Sequence, residues 1–173
     1  MVNHQNHFTL NNNKSIITIL NHLIISVAFL PFLLYSQNYI WPVKAEKNLT
    51  AVFGEERPGR YHTGIDIRTF GETGYPLLAI ENGYISRIRT SSKKYGKTIY
   101  LRLNDGNTAV YAHLDHFNPE LDNLASALQD YYSKYEIDHI LKENKYIVEK
   151  GDIIGYSGDT GGVSGPHLHF ELR

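Results

Sequence analysis

Side chains that can bind a metal occur in two closely spaced pairs along this chain of 173 residues. His62 and Asp66 lie four residues apart in the stretch YHTGIDIRTF, and His167 and His169 lie two apart in GPHLHFELR. Residues two or four apart on a β-strand point to the same face of a sheet. Each pair can therefore direct two side chains into one cleft. His113, in the stretch YAHL, is a fifth candidate.

Five candidates are more than a catalytic zinc site needs, because such a site takes three ligands from the protein and keeps one position open. The remaining groups would serve in acid–base chemistry. An isolated H-x-x-x-D motif has little specificity, and a single His in a strand is most often a hydrogen-bonded core residue. The combination of motifs indicates the metal site. Spacing alone does not decide whether His167 or His169 is the ligand.

The overall composition narrows the possible functions. Lys and Arg total 17, Asp and Glu total 18, and the net charge of −1 gives no electrostatic reason to propose a nucleic acid as partner. The absence of cysteine excludes disulfides, a thiolate zinc site and a cysteine-linked lipid anchor. Any metal must be held by His and carboxylate groups.

The N-terminal segment is predicted to be an export signal. Its uninterrupted apolar part, residues 23–35, has the length of the hydrophobic region of a signal peptide and is short for a membrane span. We predict a cleaved signal peptide over residues 1–36, with a retained membrane anchor as the alternative. Residues 37–173 would then act in the periplasm or cell envelope, with membrane contact only through an uncleaved N-terminal segment.

Short stretches of alternating apolar residues, separated by turn signals, predict a mainly β, antiparallel sandwich or barrel from residue 37 onward. Asn82-Gly83 predicts a hairpin within GYPLLAIENGYISRIRT, and Asp105-Gly106 predicts a second within KTIYLRLNDGNTAVYAHL. YIVEKGDIIGYSGDTG predicts another strand pair. Asn118-Pro119, followed by apolar residues at helical spacing, predicts an amphipathic helix over residues 119–133, inside an insertion at about 118–145.

Three stretches, HTGIDI, YAHL and GDIIGYSGDTGGVSGPHLHFELR, carry a resemblance to the lysostaphin-type, or LytM-like, zinc endopeptidases. They occur in the family's order, and the resemblance covers residues 49–173 apart from the insertion. It implies a small, mostly antiparallel β fold with a groove, related to the duplicated hybrid motif of biotinyl/lipoyl-like barrels. It also implies one Zn²⁺ per domain, with His62, Asp66 and His169 as ligands and His113 and His167 as the catalytic histidines.

The function that this resemblance implies is cleavage of peptide bonds in peptidoglycan cross-links or stem peptides. Separately, we expect the chain to be a monomer. Metal-activated water would attack the bond, with the two histidines as acid–base groups. The alternative is an inactive family member that binds peptidoglycan or activates other hydrolases. A biotinyl- or lipoyl-type carrier is disfavoured because no lysine follows Lys150 in the hairpin region that would carry the cofactor. Family members usually continue past the last ligand strand, so the sequence is also compatible with a fragment of a longer protein.

Other expectations concern the walls of the groove. Tyr61, Tyr111 and Tyr156 are expected to offer apolar faces to a peptide. The insertion begins shortly after His113, beside the predicted site. Its helix therefore either covers an edge of the sheet or narrows the groove. The tyrosine that some family members carry before the first ligand has no clear equivalent in GEERPGRY.

Overall fold

Antiparallel strands make up most of the part of the chain that the computed structural model describes, residues 38–173. The predicted signal peptide or anchor, residues 1–36, lies outside the described residues. Tyr39–Arg173 forms one compact unit. No helix within the described range is long and apolar enough to cross a membrane.

The elements of residues 38–173, in chain order, are β1 (Leu49–Ala51), β2 (Glu56–Arg57), β3 (Arg60–Tyr61), β4 (Ile65–Arg68), β5 (Pro76–Leu78), β6 (Gly83–Thr90), β7 (Lys97–Leu103), β8 (Thr108–Phe117), α1 (Pro119–Tyr132), β9 (Ile137–Ile140), β10 (Ile147–Val148), β11 (Ile153–Ser157) and β12 (His167–Leu172). The mainly β, antiparallel architecture with one helix in this range confirms that part of the predicted fold class.

Ten of these strands form one sheet, and β2 and β3 form a separate ribbon. The main path of the sheet runs β1-β4-β12-β8-β7-β6-β10; β11 pairs with both β8 and β5, and β9 pairs with β6. The last strand, β12, thus lies between β4 and β8. This order makes neighbours of the three sequence stretches that carry the predicted site.

Alternation along β4 and β12 separates the core from the site. Ile67 and Leu168 are fully buried in the hydrophobic core. Their chain neighbours therefore point to the opposite face, because successive side chains of a strand alternate. Asp66 and His169 lie on that second face. The two-residue spacing noted in the sequence is thus the spacing of one sheet face.

The strands of all three predicted pairs exist, but only one pair is formed as predicted. The hairpin at Asp105-Gly106 is confirmed, since β7 pairs with β8. The hairpin at Asn82-Gly83 is wrong, because β5 pairs with β11 and β6 pairs with β7. Likewise β10 pairs with β6, so the two strands of YIVEKGDIIGYSGDTG do not pair with each other. A turn signal in the sequence specifies only that the chain reverses direction. Which strands then pair through backbone hydrogen bonds depends on packing.

The insertion contains the predicted helix, which ends one residue earlier than expected. The Asn118 side chain accepts a hydrogen bond from the Leu121 backbone N–H at 3.0 Å, and Ser133 closes the helix in a left-handed conformation. Leu121 and Ala125 are buried in the core. The helix packs against β6, β8 and β9, and β9 extends the sheet along β6. The insertion therefore covers the part of the sheet around β6.

Candidate metal centre and active site

The pairing register of β4 and β12 brings the predicted ligands together. His169 lies directly opposite Asp66, and His62 precedes β4. The Nε2 atom of His62 lies 3.0 Å from Asp66 Oδ1 and 2.9 Å from His169 Nδ1, and the last two atoms are 2.9 Å apart. All three residues are buried. They form a nearly equilateral triangle of donor atoms that could hold a metal ion.

The second nitrogen of each histidine in this triangle has its own acceptor. His62 Nδ1 donates to the carbonyl oxygen of Val52 at 2.8 Å, and His169 Nε2 donates to Glu171 Oε1 at 2.9 Å. When both imidazoles are neutral, these bonds leave His62 Nε2 and His169 Nδ1 without hydrogens, so two lone pairs and a carboxylate oxygen face one another. Such bonds to the outer nitrogen of a metal-ligating His fix its tautomer and its ring orientation.

The donor set fits zinc. Two imidazoles and one carboxylate are a ligand combination found at catalytic zinc sites. Ligands about 2.1 Å from a tetrahedral ion are separated by roughly 3.4 Å, slightly more than the observed 2.9–3.0 Å. Three converging acceptors without a positive charge between them repel one another. A cation at their centre would remove that repulsion.

The charges at the triangle follow from these contacts. Burial would raise the pKa of Asp66, but hydrogen bonds from His169 and Arg57 hold it well below its usual range. Burial would lower the pKa of His169, but its bonds to Asp66 and Glu171 raise it above the ordinary value. In the metal-free protein a proton can therefore occupy part of the place that a metal ion would take.

Glu171 is a buried carboxylate that our sequence analysis missed, and it connects the candidate metal centre to its surroundings. Its Oε1 atom accepts hydrogen bonds from His169, from the Tyr95 hydroxyl at 2.5 Å and from the Thr63 hydroxyl at 2.7 Å. Its Oε2 atom accepts from Arg173 at 2.5 Å. Burial opposes ionisation, yet these donors lower the pKa of Glu171 to about 2. Its position two residues after His169, on the same strand face, was the available signal.

His113 and His167 lie beside the triangle and share one arrangement. Their ring centroids are 4.9 Å apart. Each Nδ1 donates to a backbone carbonyl at 2.9 Å, that of Thr160 for His113 and that of Gly165 for His167. In the neutral form of each ring, Nε2 therefore carries the lone pair. His167 Nε2 lies 3.6 Å from Asp66 Oδ1, so this nitrogen is next to the candidate metal centre.

The backbone of His113 is unusual. Its φ angle is 64°, in the left-handed region that non-glycine residues rarely adopt. Its N–H donates to the carbonyl oxygen of Tyr95 at 2.9 Å, and the regular pairing of β7 with β8 is interrupted here. Burial, the largest influence, lowers the pKa of His113 to about 4, so the imidazole is neutral at neutral pH. A neutral imidazole with a free Nε2 can accept a proton.

Two loops meet above His169, and only the second of them, the glycine-rich loop before β12, was expected near the site from the sequence. The β6–β7 loop carries Tyr95, whose ring stacks on His169 with centroids 5.2 Å apart. The loop before β12 contacts it through a bond from the Gly162 N–H to the Lys94 carbonyl at 2.9 Å. Gly161 has a φ of 89°, and a Cβ there would lie 2.4 Å from backbone atoms of the β6–β7 loop. Glycine is therefore needed at this crossing.

Two hydrogen bonds also connect the β6–β7 loop to the insertion. Ser92 donates to Glu136 at 2.9 Å, and the Thr90 hydroxyl donates to the carbonyl oxygen of Tyr135. The insertion thus contacts the base of the loop that carries Tyr95. This contact gives the insertion a structural connection to the site through that loop.

Arg57 is a further residue that the sequence did not single out. It lies on the β2–β3 ribbon, and its Nη2 donates to Asp66 Oδ2 at 2.8 Å. Tyr61, on the same ribbon, is exposed. Tyr111 is fully buried in the core, with its hydroxyl donating to the carbonyl oxygen of Leu78 at 2.8 Å. The expectation that Tyr111 lines the groove is therefore wrong.

Comparison with known proteins finds sequences similar to this chain. The model of peptidase family M23 matches residues 60–126 and 123–173. The DD-carboxypeptidase/endopeptidase Mpg of Neisseria meningitidis serogroup B is 31% identical over 114 residues, which are 66% of this chain and 20% of Mpg. The chain spans about a fifth of the length of the curated relatives it matches.

Solved structures show the same similarity. A zinc-containing peptidase from Vibrio cholerae is 27% identical with a TM-score of 0.55, over 76% of this chain and 35% of that one. The catalytic domain of the antimicrobial peptidase lysostaphin from Staphylococcus simulans is 29% identical with a TM-score of 0.53, over 73% of this chain and 80% of that domain.

Proposed function

The chain belongs to peptidase family M23, a family of metallopeptidases, and from that membership we propose that it is a zinc-dependent endopeptidase that cleaves peptide bonds in peptidoglycan. The observation that carries the proposal is the convergence of five side chains: His62, Asp66, His113, His167 and His169. A module that only binds peptidoglycan would need neither three converging ligands nor two further histidines with free nitrogens beside them.

His62, Asp66 and His169 would hold one zinc ion. When bound, the ion supplies Lewis acidity, which polarises a peptide carbonyl and makes water easier to deprotonate. Asp66 contributes one negative charge to the site, and its second oxygen is held by Arg57. Val52 and Glu171 keep the two imidazoles in the tautomers that turn a lone pair inward.

His113 and His167 would move the protons. Their free Nε2 atoms can accept the proton released by an attacking water and return one to the leaving amine. The backbone bonds at Nδ1 keep both rings oriented through this exchange. After it accepts a proton, an imidazolium can also donate to the oxyanion that forms at the carbonyl.

The proposed substrate is a peptide of a cross-link or a stem, met outside the cytoplasm. The name of Mpg, a carboxypeptidase and endopeptidase, and the similarity to lysostaphin support a peptide substrate. The predicted export signal supports the location. We propose that the enzyme acts as a monomer.

Digestion of purified peptidoglycan tests the proposal. The zinc-loaded protein should release peptide products that mass spectrometry identifies, and a chelator should stop their release. A chain with bound zinc that leaves both intact peptidoglycan and its isolated cross-linked fragments uncut would overturn the proposal.

A further inference from the structure

The site face of β4 and β12 continues one step beyond the metal centre, to Arg68. Arg68 lies two residues after Asp66 on β4 and directly opposite His167 on β12. Same-face residues of a strand are roughly 6.8 Å apart, so the start of the Arg68 side chain lies about that far from the start of the Asp66 side chain. Arg68 is therefore the cross-strand neighbour of a proposed catalytic histidine.

The guanidinium of Arg68 has no carboxylate partner among residues 38–173, whereas Arg57 on the ribbon is paired with Asp66. No ion pair in this range includes Arg68. The backbone N–H of Arg68 is held by the carbonyl of Asn48 at 2.9 Å, so the position is fixed while the side chain is exposed. Near the proposed site, Arg68 thus offers an uncompensated positive charge.

A cleft lies beside this charge. Its volume is about 460 Å³, and Arg68, Phe70, Gly165 and His167 contribute to its lining. Arg68 and a proposed catalytic residue therefore face one space. A peptide that reaches His167 from this side must pass the guanidinium.

The turn after β4 holds an aromatic ring next to the guanidinium. Phe70 and Gly71 both have positive φ angles, 55° and 84°, and the Glu72 N–H donates to the Thr69 carbonyl at 3.0 Å. This is a type I′ turn, which bulky side chains rarely occupy at its first central position. The Cζ atom of Arg68 lies 6.0 Å from the centroid of the Phe70 ring. The ring limits where the guanidinium can go.

We propose that Arg68 is a carboxylate-binding subsite, which selects peptides with a carboxylate within one or two residues of the scissile bond. An extended peptide advances about 3.4 Å per residue, so two residues span roughly the 6.8 Å between the positions of Asp66 and Arg68 on β4. A carboxylate one or two residues from the scissile bond can therefore reach Arg68. Guanidinium binds carboxylate through two parallel hydrogen bonds. The carboxylate can be a free C-terminus or a side chain. This inference rests on the proposed function for its substrate class, but its binding test does not need catalysis.

Equilibrium binding to the zinc-loaded full chain tests the subsite. The probes are the peptide L-Ala–D-Glu–L-Lys–D-Ala as the free acid, its C-terminal amide, and its analogue with D-Gln for D-Glu. Because Arg68 is exposed and an exposed ion pair contributes at most about 1 kcal/mol, we expect one of the two amides to bind about threefold to fivefold more weakly than the free acid. Whichever amide loses affinity identifies the source of the carboxylate.

Substitutions then assign the effect to Arg68. Arg68→Gln should bind acid and amide alike, and Arg68→Lys should keep part of the difference, because lysine retains the charge without the planar fork. Arg102→Gln is the matched control: it removes an exposed arginine of β7, which neighbours neither β4 nor β12. All three variants should keep the zinc content of the wild type.

Two results overturn the subsite: a wild type that binds no probe or binds acid and amides equally, and an Arg68→Gln variant that still discriminates between them. Failure of the proposed function looks different. In that case neither the wild type nor any variant cleaves peptidoglycan. The ratio of acid to amide affinity, measured for wild type and Arg68→Gln, still decides the role of Arg68.

Discussion

Removing the carboxylate of Glu171 should weaken metal binding without touching a ligand. Glu171 accepts the Nε2–H of His169, and that bond leaves Nδ1 free to face the metal centre. In Glu171→Ala this acceptor is lost, so the tautomer and ring orientation of His169 are no longer fixed. The hydroxyls of Tyr95 and Thr63 also lose their shared acceptor.

The size of the effect should depend on what replaces the carboxylate. Substitution of such partners of a metal-ligating His costs about 10–100-fold in metal affinity, or about 1.4–2.7 kcal/mol. In Glu171→Gln the amide oxygen can occupy the Oε1 position and keep all three bonds, while its NH₂ group faces Arg173. Only the negative charge is then lost, and neutral acceptors form weaker bonds. We therefore expect about tenfold weaker zinc binding for Glu171→Gln and up to about 100-fold for Glu171→Ala.

The assay is competition for zinc with a chromophoric chelator, with the visible spectrum of the cobalt-substituted protein as a report on ligand geometry. Arg173→Gln is the control, because it removes the partner of Oε2 and leaves the acceptor of His169 in place. The Arg173 side chain is half exposed although Glu171 is buried, so solvent screens this pair; we expect Arg173→Gln to lose less than about fivefold in zinc affinity. A folded Glu171→Ala protein with wild-type zinc affinity and an unchanged cobalt spectrum would refute the reasoning.

Further predictions concern the proposed ligands and His113. Asp66→Ala or His169→Ala should abolish stoichiometric zinc binding, because each removes one of three protein ligands; retained zinc by elemental analysis would make the ligand assignment wrong. His113→Asn should keep zinc and lose about 10²–10⁴ in peptidase rate, and asparagine suits the left-handed backbone at this position; loss of zinc would instead make His113 a ligand. In metal-free protein, the His113 pKa of about 4 lies below the unfolded value near 6.5. Its contribution to stability is therefore complete above about pH 6.5 and is lost as the pH falls towards 4. Between pH 7.5 and 5, urea unfolding of wild type should lose about 2 kcal/mol more than that of His113→Asn; equal losses would contradict the buried, neutral imidazole.

The face of the sheet that carries the site could be predicted from the sequence, because the period of a strand is two residues. That period places Asp66 with Arg68 and His167 with His169, whatever the partners of the strands are. Pairing is another matter. The sequence signal at Asn82-Gly83 predicted a hairpin, but β5 pairs with β11 because strand partners depend on long-range packing that a local turn signal does not contain.

The groups that support the site were less predictable. Glu171 follows His169 at strand spacing, so its side of the sheet was readable, but its bonds to Tyr95 and Thr63 join three distant stretches of chain. Tyr95 lies in a basic loop whose composition is typical of a solvated hairpin. Its stacking on His169 depends on how two glycine-containing loops pack. Such contacts between distant loops leave no periodic pattern in either loop.

The helix of the insertion was predictable from local signals in the sequence. The part of the core against which it packs was not. Asn118 and the apolar spacing after it specify a capped amphipathic helix. That its buried side chains join the core near β6 follows only from the fold. Whether the insertion also influences which peptides enter the groove stays a prediction. Replacing Ser92 by alanine, which breaks its bond to Glu136, tests this through the range of peptides cleaved.

The central claim, a zinc-dependent peptidase of peptidoglycan, is tested most directly by one paired measurement on the purified chain. The metal content is determined by elemental analysis, and the same sample is incubated with purified peptidoglycan whose products are identified by mass. The account predicts one zinc per chain and peptide fragments from a defined bond, both lost in Asp66→Ala. A chain that binds zinc in this ratio but releases no peptide, or one that cleaves equally well without metal, would contradict it.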